Sequence, residues 1–301
     1  MKIGIQSSHV LDQFGYDVGM RMLSDAGFEA IDFNMDHELP GEKIKEGSRF
    51  GILYQTEAEV IDYFRPLKAA ADTYHIEIAQ IHAPFPSYVE NKPAQATLMK
   101  ALHMAIAASA FLGCKYVIIH PAYLPYENGL TLDEKWSLNR ELYTALIPSL
   151  KKYGVVCCLE NMFTQNNNRI VTSVCSDPYE ACQYIDDLNV IAGEELFSFC
   201  LDTGHAILCT KDLRETILIL GHRIKTLHVH DNDGLKDQHM GPFMGIADWD
   251  RFCDGLRQIQ YSGVMSFETF RVLDRYPKPL WPECLKLLSA TARHFANTTR
   301  L

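Results

Sequence analysis

The 301-residue sequence lacks several features that would assign it to a class at once. No uninterrupted apolar run approaches the roughly 18 residues of a membrane-spanning helix, so we expect no membrane association. The N-terminus enters a strand pattern directly, without the apolar core of a secretory signal peptide. No linker or low-complexity tract divides the chain. These absences predict a cytoplasmic protein with a single domain, residues 1–301.

An excess of basic residues is also missing. Lys and Arg number 28 against 38 Asp and Glu, which gives a formal net charge of −10. This charge argues against broad nucleic-acid binding, although a local basic patch stays compatible with it. The sequence also has no Gly-rich phosphate loop, so whether a substrate carries phosphate is left open.

Paired cysteines are absent too. The nine cysteines are an odd number, scattered along the chain, and no C-x-x-C pair occurs. This pattern is typical of a reduced intracellular protein and not of a disulfide framework. Several cysteines, including Cys157 and Cys158, lie in apolar runs, where a free thiol packs as a small hydrophobe.

What the chain does contain is a regular alternation of short apolar segments with longer, helical ones. Eight apolar segments are predicted strands: 2–6, 28–33, 76–82, 115–120, 155–160, 196–202, 224–230 and 264–268. Strands that alternate with helices form parallel sheets, and eight such units predict a (β/α)8 TIM barrel. The connection 163–177 is polar, Asn-rich and long, which predicts a substrate lid.

Side chains that bind metals recur at the ends of six successive predicted strands. In chain order they are His82, His120, Glu160, Asp202, His228 and Glu268. Active sites of TIM barrels lie at the C-terminal ends of the strands. A single polar residue often marks the end of a strand, but a ring of six such groups needs a cation to neutralise it.

The segment 227–239 is the richest in such groups. His228 and His230 are two residues apart, so on a strand they point to the same face. Asp237 and His239 repeat that spacing in the polar stretch that follows. Imidazole nitrogens and carboxylate oxygens are ligands of divalent metal ions, so this segment predicts a metal site.

These motifs, in this order and spacing, resemble the xylose-isomerase-like barrel superfamily of sugar phosphate isomerases and epimerases. The superfamily includes the ketose 3-epimerases and endonuclease IV, and the resemblance covers essentially the whole chain. It is carried by Ile81-His82-Ala83-Pro84, Ile119-His120-Pro121, Leu159-Glu160-Asn161, Leu201-Asp202-Thr203-Gly204-His205, His228-Val229-His230-Asp231, Asp237-Gln238-His239 and Phe267-Glu268-Thr269.

The resemblance to the ketose epimerases implies one divalent ion (Mn, Mg, Co or Zn). Its four ligands there match Glu160, Asp202, His228 and Glu268 of this chain. The two glutamates also serve there as the acid/base pair on opposite sides of the sugar. The residue matching His205 contacts substrate, so we expect His205 to bind substrate here.

The resemblance to endonuclease IV implies up to three ions, because further residues match its metal ligands. They are His82 and His120, which join Glu160 around a second ion, and His205, Asp237 and His239, which hold a third. Residues 241–245 depart from the family pattern, since many members have an acid there and this chain has none.

Moving a proton next to a sugar carbonyl needs a Lewis acid to stabilise an enediolate, a base and an acid. We therefore predict a metal-dependent sugar or sugar-phosphate isomerase/epimerase in which Glu160 and Glu268 exchange protons. Arg271 follows Glu268 by three residues and is a candidate contact for an anionic substrate group. A surface arginine without a ligand fits the sequence equally well.

Three alternatives stay open. An inosose-type dehydratase begins with the same proton abstraction. An endonuclease IV-like hydrolase of abasic DNA needs a basic face, whereas Arg49, Arg169, Arg223 and Lys236 are isolated in the sequence. A barrel that only binds a ligand would leave the acid/base and metal set idle. The expected partner is thus a small carbohydrate, and nothing in the long helices specifies or excludes a homo-oligomer.

Overall fold

The computed structural model describes residues 1–49, 51–122, 130–167 and 169–300. Its strands are β1 (Ile3–Gln6), β2 (Ala30–Asn34), β3 (Glu77–His82), β4 (Tyr116–Ile118), β5 (Val156–Glu160), β6 (Phe163–Asn166), β7 (Arg169–Thr172), β8 (Phe197–Asp202), β9 (Ile224–His228) and β10 (Met265–Phe267). Its helices are α1 (Ser8–Asp25), α2 (Gly41–Lys45), α3 (Glu57–Thr73), α4 (Lys92–Phe111), α5 (Leu132–Tyr153), α6 (Pro178–Ala192), α7 (Thr203–Leu208), α8 (Leu213–Leu220), α9 (Trp249–Gln258), α10 (Phe270–Leu273) and α11 (Trp281–Thr298).

Eight of the strands form one sheet in the order β10-β1-β2-β3-β4-β5-β8-β9. Strand β1 pairs in parallel with β10 and with β2, and β4 pairs in parallel with β3 and β5. A further parallel bridge between Val229 and Phe267 links the segment after β9 to β10, the first strand in this order. The predicted (β/α)8 TIM-barrel fold is therefore confirmed.

The chain forms two compact units, each assembled from separate stretches of sequence. The first unit contains 1–33, 66–79 and 200–301, and the second contains 34–65 and 80–199. The core of the first unit is aromatic: the Phe295 ring stacks on Trp249 at 5.1 Å between centroids. In the second unit the fully buried Tyr143 donates its hydroxyl hydrogen to the carbonyl of Ile119 at 2.8 Å.

Local sequence signals account for where helix α5 begins and ends. Helix α5 starts with a capping box, in which the Thr131 hydroxyl and the Glu134 carboxylate each accept a hydrogen bond from the other residue's backbone N–H. It ends at Gly154, whose φ of 66° suits glycine. Both signals lie at exposed ends of the helix.

The stretch 163–177, predicted as a lid, contains an antiparallel hairpin that the sequence did not predict. Strand β6 pairs with β7 from Phe163–Thr172 to Asn166–Arg169. Asn167 adopts a φ of 49° at the turn, a conformation that asparagine tolerates better than most residues. The short strands are only partly buried, which explains their weak apolar signal.

The structure also bears on membrane-spanning segments and on the cysteines. No helix in the described ranges is long and apolar enough to cross a membrane. All nine cysteines are free thiols. Burial raises the pKa of the Cys157 thiol well above its ordinary value, so this residue acts as a buried hydrophobe and not as a nucleophile.

Candidate metal centre

The six residues predicted at strand ends lie where barrel enzymes carry their chemistry. His82, Glu160, Asp202 and His228 are the last residues of their strands, while His120 and Glu268 follow β4 and β10 within two residues. All six side chains are buried. His82, His120 and Glu160 belong to the second unit, and Asp202, His228 and Glu268 belong to the first.

In the second unit, His82, His120 and Glu160 form a compact group. The His82 Nδ1 lies 2.9 Å from the carbonyl of Ala83, which can only accept a hydrogen bond, so the Nε2 presents a lone pair. That Nε2 lies 3.3 Å from His120 Nε2, which is 3.1 Å from Glu160 Oε2. Two ligands of one tetrahedral ion lie roughly 3.3–3.6 Å apart for bonds of about 2.0–2.2 Å, so this group fits a metal.

Phe85 packs against this group. Its ring centroid lies 4.9 Å from that of His120 in an edge-on arrangement, and its backbone N–H donates to Asp36 Oδ1 at 2.9 Å. The Ser87 hydroxyl donates to the carbonyl of His120 at 2.5 Å. Contacts to both ring and backbone hold His120 in place beside an apolar wall.

In the first unit, His228 lies between acidic side chains. Its Nδ1 is 3.6 Å from Glu268 Oε2 and 4.0 Å from Asp202 Oδ2, and its Nε2 is 2.9 Å from Asp32 Oδ2. Asp202, His228 and Glu268 are arranged so that one atom from each lies within 4.8 Å of the others. Two carboxylates and an imidazole nitrogen form a ligand set that suits a divalent ion.

A second set of histidines adjoins these residues in the first unit. Asp237 reaches His205 Nε2 at 3.6 Å with one oxygen and His239 Nδ1 at 3.4 Å with the other. The rings of His230 and His239 stack at 4.2 Å between centroids with 11° between their planes. Three buried atoms of this set, within the described part of the chain, make no hydrogen bond: His230 Nδ1, Asp237 Oδ1 and His239 Nδ1. Burying a polar atom without a hydrogen bond destabilises the fold, and a bound cation would supply the missing partner.

The electrostatics of this group favour positive charge. Burial by itself lowers the pKa of His230, but the charges of Asp202, Asp237 and Glu268 outweigh it and the net pKa is raised. Burial raises the pKa of Asp237, but the His205 imidazole 3.6 Å away, together with His239 and His230, outweighs it and the net pKa is lowered. The acidic side chains therefore favour a positive charge in this group, carried either by a protonated histidine or by a metal ion.

The motif Asp202-Thr203-Gly204-His205 shapes this group through backbone contacts. The Thr203 hydroxyl accepts from the N–H of His230 at 2.9 Å and donates to its carbonyl at 2.7 Å. A Cβ on Gly204 would lie 1.9 Å from Cε1 of His230, so only glycine leaves room for that ring. His230 in turn brings Nε2 within 3.0 Å of both carboxylate oxygens of Asp202.

Sequence reasoning missed the role of Asp231. Its carboxylate accepts hydrogen bonds from the backbone N–H groups of Asn232, Gly245 and Ala247 and from the indole N–H of Trp249. These four bonds tie together both ends of the segment 231–249, which carries Asp237 and His239. The whole segment is rich in polar residues, so its sequence does not distinguish the buried Asp231 from its exposed neighbours.

Arg271 lies on α10 with an exposed side chain, and its guanidinium carbon is 6.0 Å from the centre of the Phe270 ring. Phe270 itself packs against His239 at 4.5 Å between ring centroids. Phe270 is thus an apolar neighbour of the metal-competent set that the sequence did not indicate, whereas the predicted role of Arg271 stays a prediction.

Comparisons with known proteins agree with this fold. The family model described as a xylose isomerase-like TIM barrel matches residues 20–291, so the chain belongs to that family. A protein of Methanocaldococcus jannaschii, the uncharacterized protein MJ1311, is 27% identical over 210 residues, which cover 67% of this chain and 68% of that one.

Solved structures share the fold along nearly the whole chain. A D-tagatose 3-epimerase-like protein has a TM-score of 0.70 at 21% identity and covers 97% of this chain and 99% of its own. The IolI protein, solved with a zinc atom, has a TM-score of 0.68 at 19% identity and covers 99% of this chain and 98% of its own.

Proposed function

We propose that this protein is a metal-dependent sugar or sugar-phosphate isomerase/epimerase. The observation that carries the proposal is the convergence of His228, Asp202 and Glu268 in the first unit, with atom separations of 3.6 and 4.0 Å around the His228 Nδ1. Glu160 is the fourth ligand in this proposal because it matches the fourth ligand of the ketose epimerases that the chain resembles. The zinc atom of the solved IolI relative supports a divalent ion as the cofactor.

The bound ion would supply a Lewis acid that polarises a substrate carbonyl. Glu268 would transfer a proton at the adjacent carbon, since its buried Oε2 lies among His228 and His239. Glu160 would transfer a proton at the opposite side of the sugar, and His205 would orient a substrate oxygen. The name of the D-tagatose 3-epimerase-like relative supports a ketose as substrate class.

The extra histidines leave a second candidate function, hydrolysis of a phosphodiester at abasic DNA by a metal cluster. The group formed by His82, His120 and Glu160 favours it, because its separations of 3.3 and 3.1 Å fit a further ion. Its partner would be nucleic acid, which the net charge of −10 disfavours. We therefore place a small carbohydrate first, in a reducing cytoplasm that suits nine free cysteines.

The first experiment is metal content per chain, followed by exchange of carbon-bound hydrogen with deuterated water over a panel of ketoses. We expect a divalent ion to copurify and at least one ketose to exchange deuterium at the carbon next to its carbonyl. Cleavage of an abasic duplex without any such exchange would replace this proposal by the second one. A protein that binds no divalent ion, and that none stabilises, would contradict both.

A further inference from the structure

Asp32 is a buried carboxylate at the end of β2, which no motif of the sequence singled out. It is 0% exposed and sits in the apolar run Ala30-Ile31-Asp32-Phe33. Its Oδ2 lies 2.9 Å from the Nε2 of His228, which is itself 1% exposed. We propose that Asp32 is a positioning residue that decides which ring nitrogen His228 presents to the metal. The proposal rests on the proposed function only in that His228 is a ligand.

The hydrogen-bonding capacity of the two groups fixes the tautomer of His228. A carboxylate can only accept hydrogen bonds, so the 2.9 Å contact requires that His228 carries a proton on Nε2. A neutral imidazole with Nε2 protonated has its lone pair on Nδ1. That nitrogen is the one that lies 3.6 Å from Glu268 Oε2 and 4.0 Å from Asp202 Oδ2. Asp32 therefore selects the tautomer that has its lone pair on the side of the two other ligand candidates.

The contact is held rigidly from both ends. The Asp32 carbonyl accepts hydrogen bonds from both the N–H and the hydroxyl of Ser7 at 3.0 Å, and β2 pairs with β1 at Gln6. On the other side, His228 ends β9, and its carbonyl lies 3.3 Å from the Thr203 hydroxyl. Two strand ends, and not a loop, therefore define the orientation of the imidazole.

A carboxylate behind a metal-binding histidine also makes the imidazole a stronger electron donor. Removing such a partner typically weakens metal affinity by about 10- to 100-fold. Asparagine in place of Asp32 has nearly the same shape, but it carries no charge and offers both a donor and an acceptor. If its amide N–H pointed at Nε2, the proton would move to Nδ1 and block the ligand atom.

The test uses Asp32→Asn with zinc ion alone as the probe. We expect the zinc dissociation constant, measured by competition with a chelator, to rise about 10- to 100-fold. Asp212→Asn is the matched control, because it removes an aspartate that pairs with Arg251 at 2.7 Å in the same unit, and its zinc affinity should not change. Unchanged affinity in Asp32→Asn would overturn the proposal.

A second measurement works without metal and without any variant. Nitrogen-15 NMR of the metal-free wild-type protein reports which ring nitrogen of His228 is protonated, and we expect a proton on Nε2. A bare Nε2 with the proton on Nδ1 would overturn the proposal even if Asp32→Asn does not fold. If the wild-type protein binds no divalent ion, the proposed function fails, while this spectrum still decides the role of Asp32.

Discussion

The two polar groups of this protein use the same ligand chemistry but differ in what supports them. In the second unit, neutral groups support the histidines: the Ala83 carbonyl lies beside His82 Nδ1, and the Ser87 hydroxyl donates to the carbonyl of His120. In the first unit, the buried carboxylate of Asp32 contacts His228, and Asp231 holds the segment that carries the ligand candidates Asp237 and His239. An ionised carboxylate next to a ligand imidazole makes the ring a stronger electron donor than a neutral carbonyl does, and a segment that is already fixed binds a metal with less loss of entropy. We therefore expect the first unit to hold its ion more tightly.

The largest effect should come from Glu268 in the first unit. Changing Glu268→Gln keeps the shape of the side chain but removes the acid/base group, so turnover of the ketose substrate should fall by about 10²- to 10⁴-fold. Hydrogen–deuterium exchange at the substrate carbon is the measurement. Turnover at the wild-type rate would show that Glu268 has no acid/base role.

Metal retention by two matched variants tests whether the first unit holds its ion more tightly than the second. Asp202→Asn removes a charged ligand candidate from the first unit, and His120→Asn removes one from the second. During dialysis against a chelator, we expect Asp202→Asn to lose its tightly held ion, while His120→Asn retains it. The opposite order of loss, measured by elemental analysis, would mean that these supporting groups do not set affinity.

A substitution of Asp231 tests whether its carboxylate stabilises the segment 231–249. Asp231→Ala leaves four N–H donors without their acceptor, so the free energy of unfolding should fall by roughly 2–4 kcal/mol. Urea denaturation in the presence of a chelator measures this loss apart from any effect on metal binding. Asp233→Ala is the control, since Asp233 is exposed and bonds only within the same segment. Equal stability of the two variants would exclude the supporting role.

The smallest effect is expected in the second unit, at a site away from its polar group. Thr131→Ala removes the N-terminal cap of α5, which should lower the melting temperature by about 2 °C. Metal content should stay at the wild-type level, because this cap touches no ligand candidate. A loss of metal in this variant would show that ion binding follows general stability and not the support of particular ligands.

The sequence predicted the barrel and the residues at the strand ends because both depend on local patterns. Apolar segments such as 155–160 and 196–202 match β5 and β8 within one residue. It did not predict the β6–β7 hairpin, whose strands are only partly buried and have little apolar contrast. Nor did it predict helix α7, because its six residues follow directly after Asp202, the last residue of β8.

By itself, then, the sequence determined the fold and the ligand candidates, since strand and helix periods and metal-binding side chains are visible along the chain. The tertiary structure alone decided which groups orient those candidates. Asp32 and His228 are 196 residues apart, and only the folding of β2 and β9 into one sheet brings their side chains within 2.9 Å. A hydrogen bond depends on distance in space, which a one-dimensional pattern does not contain.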